Sequence, residues 1–458
     1  MDDLPGSQSR AGGAPAPPSS PAQVPADTAA VTQDDYDRFV RENLPRNFFG
    51  HFIHGMLGMT GFRLVNAPTF VPVYLHSISG SDFWVGLGLS LQQLGAIASP
   101  IIGASQMEHR KRILPISVAL GWLMRLQILG LAVSGWFLTG SPALMCALLF
   151  LFLLGVFQGP QRVAFQFLLG KVIPVGIRGR LNAWRSFAGG LVAAGLSWVA
   201  GAYIVGPNLL GNGYATTFFL AFLLTSLGLT ALRMLMREPE PPSVRQRVAL
   251  RDRLKDVPNL IRADKGFAWF MVARSFAMGM RIGQPFFFLF AAQQLGLFEK
   301  ANPVAFGQVV GVLSFAYMGG DTVSNLIWGY LSDRGGFKST FVVSMALQVA
   351  SVVMLLNFHT LPLLMVAFCG LGAAQSAYIM SSMNIVMEFG HRHDMAMRMA
   401  LSNTAEGLMG AAAPLIGAGL SLAGGYPAAF YATIVSVLIA LVILLFKVDE
   451  PRRRASQG

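Results

Sequence analysis

The sequence predicts an all-α integral membrane protein, with twelve transmembrane helices in two pseudo-symmetric six-helix halves. Three observations predict it. The 458-residue chain is 53% hydrophobic and only 12% charged, whereas an ordinary soluble protein is about a quarter charged; its mean hydropathy is +0.54. Long apolar runs, each bounded by turn residues or a charge cluster, recur along the whole chain. A polar segment over 237–266 divides those runs six and six. Charge this sparse excludes a soluble globular enzyme. The runs are continuous rather than alternating, which excludes a transmembrane barrel and leaves helices, the other structure that satisfies its own backbone in lipid.

Residues 1–31 are rich in Pro, Ala, Gly and Ser with almost no large apolar side chain, so they are expected to form a disordered tail. They lack the basic and apolar regions of a signal peptide, so the first span is expected to stay as an anchor. Asp34 to Arg46 reads as a short polar helix whose acidic start and basic end suit the helix dipole. Spans follow at about 48–75, 83–104, 113–138, 142–173, 181–206 and 214–236, giving an N-terminal half over 32–236. After the central segment come 267–295, 304–331, 339–358, 361–388, 398–424 and 427–447, giving a C-terminal half over 267–447 and a basic tail over 448–458. Each run is long enough to cross about 30 Å of hydrocarbon at 1.5 Å per residue.

The net charge of +12 does not point to nucleic acid, because the basic residues sit in short segments between spans. The connections after even-numbered spans hold Glu108 to Arg112, then Lys171, Arg178 and Arg180, the run from Arg233 to Lys265, then Asp333, Arg334 and Lys338, and Arg392. Those after odd-numbered spans hold almost no base except Lys300. The positive-inside rule then places the even connections, both termini and Arg452 to Arg454 in the cytoplasm of a cell whose inner membrane holds the protein. Cys146 and Cys369 stand alone in apolar runs, so no disulfide framework, metal site or cofactor is expected.

The two halves echo each other. Gln158 to Lys171 in the fourth span is spaced as Gln375 to Glu388 in the tenth, and Arg180 to Gly189 as Arg398 to Gly407. Arg63 precedes Pro68 in the first span much as Arg281 precedes Pro285 in the seventh. Duplicated halves are the architecture of secondary transporters, with sites at the repeat interface near the midplane.

The segment Gly329-Tyr-Leu-Ser-Asp333-Arg334-Gly-Gly-Phe-Lys338 resembles the loop signature of the major facilitator superfamily, with Phe337 alone off pattern. A degenerate first copy runs from Gly103 to Arg112, its acid one position late. The resemblance covers the span pattern from about 48 to 447. It implies the twelve-helix fold, and a conformational latch at Gly329, Asp333, Arg334 and Lys338, in which the acid accepts hydrogen bonds from a helix N-terminus and the neighbouring base. A static helix-end salt bridge is the alternative. Gly155 stands where proton-coupled members carry an arginine before Gln158-Gly159, and no proline follows Gly189 and Gly190 in the fifth span until Pro207. The proton-antiport signatures are thus missing, and those glycines are assigned to close helix packing.

Ionisable residues inside the spans mark function by default. They are Arg63, Arg125, Arg162, Arg185, Arg274 and Arg281 against Asp321 and Glu406. Arg63 and Arg281 reach roughly the bilayer centre, and arginines suit carboxylate or phosphate because they stay charged and bind in two-pronged fashion. The resemblance to the superfamily's organophosphate exchangers, which also place arginines on these two helices, implies an anionic substrate. Arg162 with Gln158 and Gln161, and the amides Asn66, Gln284, Gln375, Asn384 and Asn403, fill out the candidate cavity. Asp321 and Glu406 are candidates for proton coupling or for charge pairing with the arginines. Arg125 is expected to be structural, His51 and His54 interfacial with a proton switch as their alternative, and Phe286 to Phe288 lipid-facing or packing.

The expected function is secondary transport of a small organic solute, an organic anion as the sharper form, by a monomer in the cytoplasmic membrane, with protons as a candidate coupling ion. No phosphate-binding loop is present, so neither an enzyme nor an ATP-driven pump is expected. Two alternatives stay open. One is a polyspecific exporter of drugs or lipophiles; the other is a non-transporting membrane sensor or assembly partner, which the Pro/Ala-rich tail would favour.

Overall fold

The computed structural model describes residues 32–107, 110–240, 264–297, 299, 301–389 and 395–448, and among them contains helix and no strand. The expected tail over 1–31, most of the central segment, Glu108, His109, Lys300, Arg392 and Arg452 to Arg454 lie outside the described residues. The first helix, α1 (Gln33–Glu42), is capped by Thr32, whose hydroxyl accepts from the Asp35 amide, and it ends at Asn43 rather than continuing to Arg46.

The first span begins at Leu44, earlier than expected, and consists of two helices, α2 (Leu44–Asn66) and α3 (Phe70–Ser79). Pro68 explains the break. A proline lacks an amide proton and pushes the preceding residue out of the helical region, and Ala67 has φ −61°, ψ 147°. Then follow α4 (Asp82–Met107), α5 (Leu114–Phe137), α6 (Gly140–Val172), α7 (Val175–Val199), which runs on into a π-helical turn over Ala200–Val205, and α8 (Gly213–Leu235).

The seventh span mirrors the first. It is assembled from α9 (Lys265–Ala277), α10 (Met280–Gly283), a 3₁₀ turn at Gln284–Phe286 and α11 (Phe287–Gln294), interrupted around Pro285. In both halves, therefore, the span that carries Arg63 or Arg281 breaks within a turn of it.

The last three helices are α12 (Pro303–Asn357), α13 (Leu361–Glu388) and α14 (Met395–Phe446). Two of them double back. Gly336 in α12 has φ 80°, ψ 163°, a region open only to glycine, and Ser332 and Thr340 on either side of it hydrogen-bond at 2.8 Å. Gly320 meets Cys369 and Ser351 meets Gly370, so residues far apart in α12 lie at one level of α13. In α14 the reversal is at Gly424 and Gly425, and both Gly417 and Thr433 meet the Ile282–Gly283 step.

Seven helices among the described residues are long and apolar enough to cross a membrane, α12 and α14 among them. The predicted twelve spans correspond to these seven with α12 and α14 each taken as two, together with α2–α3, α4 and α9–α11. Phe286, Phe287 and Phe288 are buried, packed on Tyr426, Phe430 and Phe306, so they belong to the core and not to the lipid face.

The basic end of the bundle is tied by one carboxylate. Glu238, just after α8, accepts from the amides of Ile113 (2.7 Å) and Leu114 (2.7 Å) at the start of α5 and from Lys171 Nζ (2.9 Å) at the end of α6. Arg112 pairs with Glu240 at 3.0 Å. The beginning of the central segment is thereby stapled across three spans, two of whose helix ends would otherwise leave unmet amide and ammonium groups.

Candidate functional site

The two halves meet along α4–α14 and α7–α12. Their closest contacts lie away from the basic end. Backbone touches backbone where Gly201 meets Gly311 and Gly206 meets Gly307, and Gly86 lies on Pro414 and Ala418. Polar ties cross nearby. Ser314 donates to Thr69 at 2.8 Å, and Asp82 accepts from Ser421 (3.0 Å) and Tyr426 (3.2 Å). The deepest polar tie is Arg63, whose Nη2 lies 2.8 Å from Asp321 and whose Nη1 donates to Thr322 at 2.7 Å. This joins the first span to the eighth. Gly190 packs closely beside it: a Cβ there would sit 2.6 Å from Arg63 Nη1 and 2.1 Å from Thr322 Oγ1, so those side-chain ends would have to shift.

The second acid is also paired. Arg274 on α9, buried at 2% exposure, donates to Glu406, Ser402 and Asn403 on α14. Thus Asp321 and Glu406, the two acids expected inside the spans, each carry an arginine, and Glu406 takes Arg274 rather than Arg281.

Among the described residues three of the arginines expected inside the spans have no hydrogen-bond or carboxylate partner. Arg185 lies over the Phe165 ring with its Nε and Nη1 buried. The other two are Arg281 and Arg162, and Arg281 Nε is buried without an acceptor. Arg162, from α6, is exposed yet within electrostatic reach of both Arg281 and Glu406 of the other half. Tyr317 lies where it feels Asp321, Arg281 and Arg63, with its hydroxyl on Gln284. A small cavity beside it is lined by the amides of Gln284, Gln348 and Gln375 together with Tyr317, Met280 and Leu371. The structure therefore brings together Arg63, Asp321, Arg281, Gln284 and Gln375, and places Arg162 across from Arg281.

The other expected residues are arranged differently. Asn66 donates to Phe62 in its own helix and accepts from Gln92 at 2.9 Å. Asn384 bonds within α13. Gln158 is half-buried on α6, and Gln161 faces away, toward Ser117. Arg125 holds Thr225 and Gly121 carbonyls at 2.7 Å, a packing role between α5 and α8. His51 and His54 are buried, not interfacial, with Phe165 beside both rings and the Arg185 guanidinium over that same phenyl. Gly329, Asp333, Arg334 and Lys338 surround the α12 reversal, where Arg334 lies 4.2 Å over the Tyr330 ring.

Tyr317, Thr322 and Gln348 were missed by the sequence reading. Tyr317 sits one turn before Asp321, so helical spacing held the signal. Among the described residues no group of three or more His, Cys, Asp or Glu is placed to hold a metal ion.

Residues 301–458 match the family model described as Major Facilitator Superfamily. No curated protein matches the chain. Among solved structures it is similar to a D-xylose-proton symporter, with 12% identity over 89% of this chain and 99% of that one and a TM-score of 0.69. It is also similar to the nucleoside transporter NupG in mutant form, with 12% identity, 89% and 98% covered and a TM-score of 0.64. A bacterial homologue of the human lysosomal transporter Spinster, inward-facing and unoccupied, gives 13% identity, 91% and 96% covered and a TM-score of 0.60.

The fold is that of the major facilitator superfamily. The chain is accordingly a multi-pass membrane protein, and the resemblance first carried by Gly329 to Lys338 is borne out by the match over its C-terminal third. At such identities the likeness is one of fold. Arg162 and Arg281 come from opposite halves of that fold, and the contacts at Gly201, Gly206 and Asp82 hold the halves together at the end opposite the basic loops.

Proposed function

We propose that the protein is a secondary transporter that moves a small organic anion across the cytoplasmic membrane by alternating access. The observation that carries this reading is the charge arrangement around the midplane. Both acids are paired, and two arginines from opposite halves, Arg162 and Arg281, keep their donors free. A half-buried guanidinium such as that of Arg281, whose Nε is out of solvent, gains from a counter-charge, and an anionic solute supplies one with the two-pronged geometry that guanidinium groups favour. Gln284, Gln375 and Tyr317 add neutral hydrogen-bonding groups that orient the rest of the solute.

In this mechanism Arg63 and Asp321 form the moving contact. Protonating Asp321 would remove the charge that holds Arg63 and loosen the first span from the eighth, so a proton is the coupling ion this pair supports. Asp333, Arg334 and Lys338 at the α12 reversal are assigned to the latch on the basic side. The basic loops support cytoplasmic placement of that side and of both termini, and the site needs no second copy of the chain, which supports a monomer. An exporter whose site is lined by the Phe286 to Phe288 run has less support, because those rings are packed in the core.

The test is solute binding and counterflow with protein in nanodiscs and proteoliposomes, for wild type, Arg162→Gln and Arg281→Gln. A ligand that binds the folded state raises its thermal midpoint by mass action. Organic anions are expected to stabilise wild type, and each substitution to weaken binding by about 10- to 150-fold, the loss of a charged hydrogen bond worth about 1.5–3 kcal/mol. Stabilisation by sugars or lipophilic cations that survives both substitutions would overturn the anion reading.

A further inference from the structure

At the basic end, where α2 and α7 leave the bundle, lies an open groove of about 450 Å³ lined by Phe48, Phe49, Phe52, Arg180 and Trp184. Its walls have two different continuations. On α7, Trp184 begins the stripe Trp184, Leu191, Trp198, all exposed at 43–58%; these positions share one helical face, the face a membrane protein turns to lipid. On α2, Phe49, Phe52, Met56, Met59 and Arg63 fall within about 80° of arc at 3.6 residues per turn. That stripe is partly open at every position and climbs from the groove to the Arg63–Asp321 pair, about 16 Å above Phe52. Arg180 at the rim is exposed and has no carboxylate partner among the described residues.

The geometry points to a membrane-side entrance for an amphiphilic organic anion. Its apolar chain occupies the Phe48–Phe52–Trp184 groove, and its anionic head passes from Arg180 to the central arginines. The inference rests on the anion reading above and deepens it, because it assigns the substrate a hydrophobic body. The arrangement of the two stripes is its ground. Three phenylalanines and a tryptophan gather at one end of a half-buried path whose other end is charged, and an exposed arginine marks the depth where lipid headgroups lie. A small hydrophilic anion has no use for the aromatic end. An uncharged lipid has no use for the arginines.

The test uses alkyl phosphates from two to ten carbons, titrated against protein in zwitterionic nanodiscs, with wild type, Phe49→Ser combined with Trp184→Ser, and Arg180→Gln. Phe49 and Trp184 are exposed at 54% and 58%, so their loss leaves the packed core intact. Affinity of wild type is expected to rise roughly three- to fourfold per methylene, as burying a CH₂ requires, until the chain outruns the groove. The double variant should keep the affinity of the two-carbon phosphate and lose the dependence on length. Arg180→Gln, at the groove itself, should weaken all lengths by a similar factor. A wild type that binds the short phosphate but gains nothing from added carbons overturns the entrance and leaves the anion reading standing. A length dependence identical in wild type and the double variant reports partition into the disc and also overturns it. Absence of binding at every length removes the anion reading itself.

Discussion

Replacing Gly201 by alanine should tip the conformational balance of the carrier. A Cβ at this position would lie 2.2 Å from Gly311 N, 2.3 Å from Gly311 Cα and 2.6 Å from Gly307 O. All three are backbone atoms of the opposite half, so no side chain can rotate out of the way. Restoring ordinary contact at 3.4 Å requires α7 and α12 to part by roughly 1.2 Å. Overpacking of this kind costs about 1–3 kcal/mol. The cost falls only on the state in which this end is shut, because opening it separates the two helices. The equilibrium therefore shifts toward the other state by about 5- to 150-fold. Ser314, 1% exposed and bonded to Thr69 across the same seam, makes the reporter. In a background with Cys146 and Cys369 replaced by serine, Ser314→Cys should react with a soluble maleimide faster by that factor once Gly201→Ala is added. An unchanged rate in well-folded protein would refute the assignment of this glycine seam as the closed gate.

Three further substitutions probe other parts of the structure. Asp321→Asn removes the negative charge from the 2.8 Å pair with Arg63; it should abolish the pH dependence of solute exchange while leaving exchange itself, and a pH dependence like that of wild type would contradict the coupling role. Glu238→Gln keeps the shape of a side chain that is 3% exposed but leaves Lys171 without its counter-charge. It should cost about 2 kcal/mol, read as a lower thermal midpoint without loss of solute affinity. Gly336→Ala forces a side chain into φ 80°, ψ 163° and should cost about 1–3 kcal/mol, seen as a drop in thermal midpoint that Gly335→Ala does not reproduce.

The span pattern was legible in the sequence because lipid imposes it. A stretch that must bury twenty apolar residues in a row announces itself, whereas the breaks at Pro68 and Pro285 in the first and seventh spans were not anticipated, although both prolines stood out in the repeat. The helix reversals were less legible. Gly329 to Lys338 reads as a ten-residue loop, yet the chain turns at Gly336 alone, because one glycine in a region closed to other residues does the work of a longer connection. Side-chain pairing was the least legible. Arg63, Arg274 and Arg281 look alike along the chain, and which of them takes Asp321 or Glu406 depends on helix rotation and on how the halves meet. The burial of His51 and His54 also depends on a neighbour, Phe165, far away in sequence. Gly201, Gly307 and Gly311 look like ordinary packing glycines until their partners are seen to be one another.

The unpaired arginines carry a consequence for the transport cycle. Arg162 and Arg281 are like charges from opposite halves, and in the proposed cycle solvent screens them while the basic end is open. Closing that end without a solute would strip the water and bring the charges together. At 4 Å and an effective dielectric constant near 20, two unit charges repel by about 4 kcal/mol, and the desolvation of each adds to it. An anion between them changes the sign of the interaction, so the loaded carrier closes readily while the empty one closes about a thousandfold less often. The carrier should therefore work chiefly as an exchanger. Proteoliposomes preloaded with a labelled transported anion should release it quickly into buffer containing the unlabelled anion and slowly into buffer without it. Arg162→Gln removes one of the two charges and should narrow that difference by speeding the unloaded return, even as it weakens binding. Equal release into both buffers by the wild type would mean that another group, Asp321 or Glu406 moved from its present arginine, neutralises the pair when the site is empty.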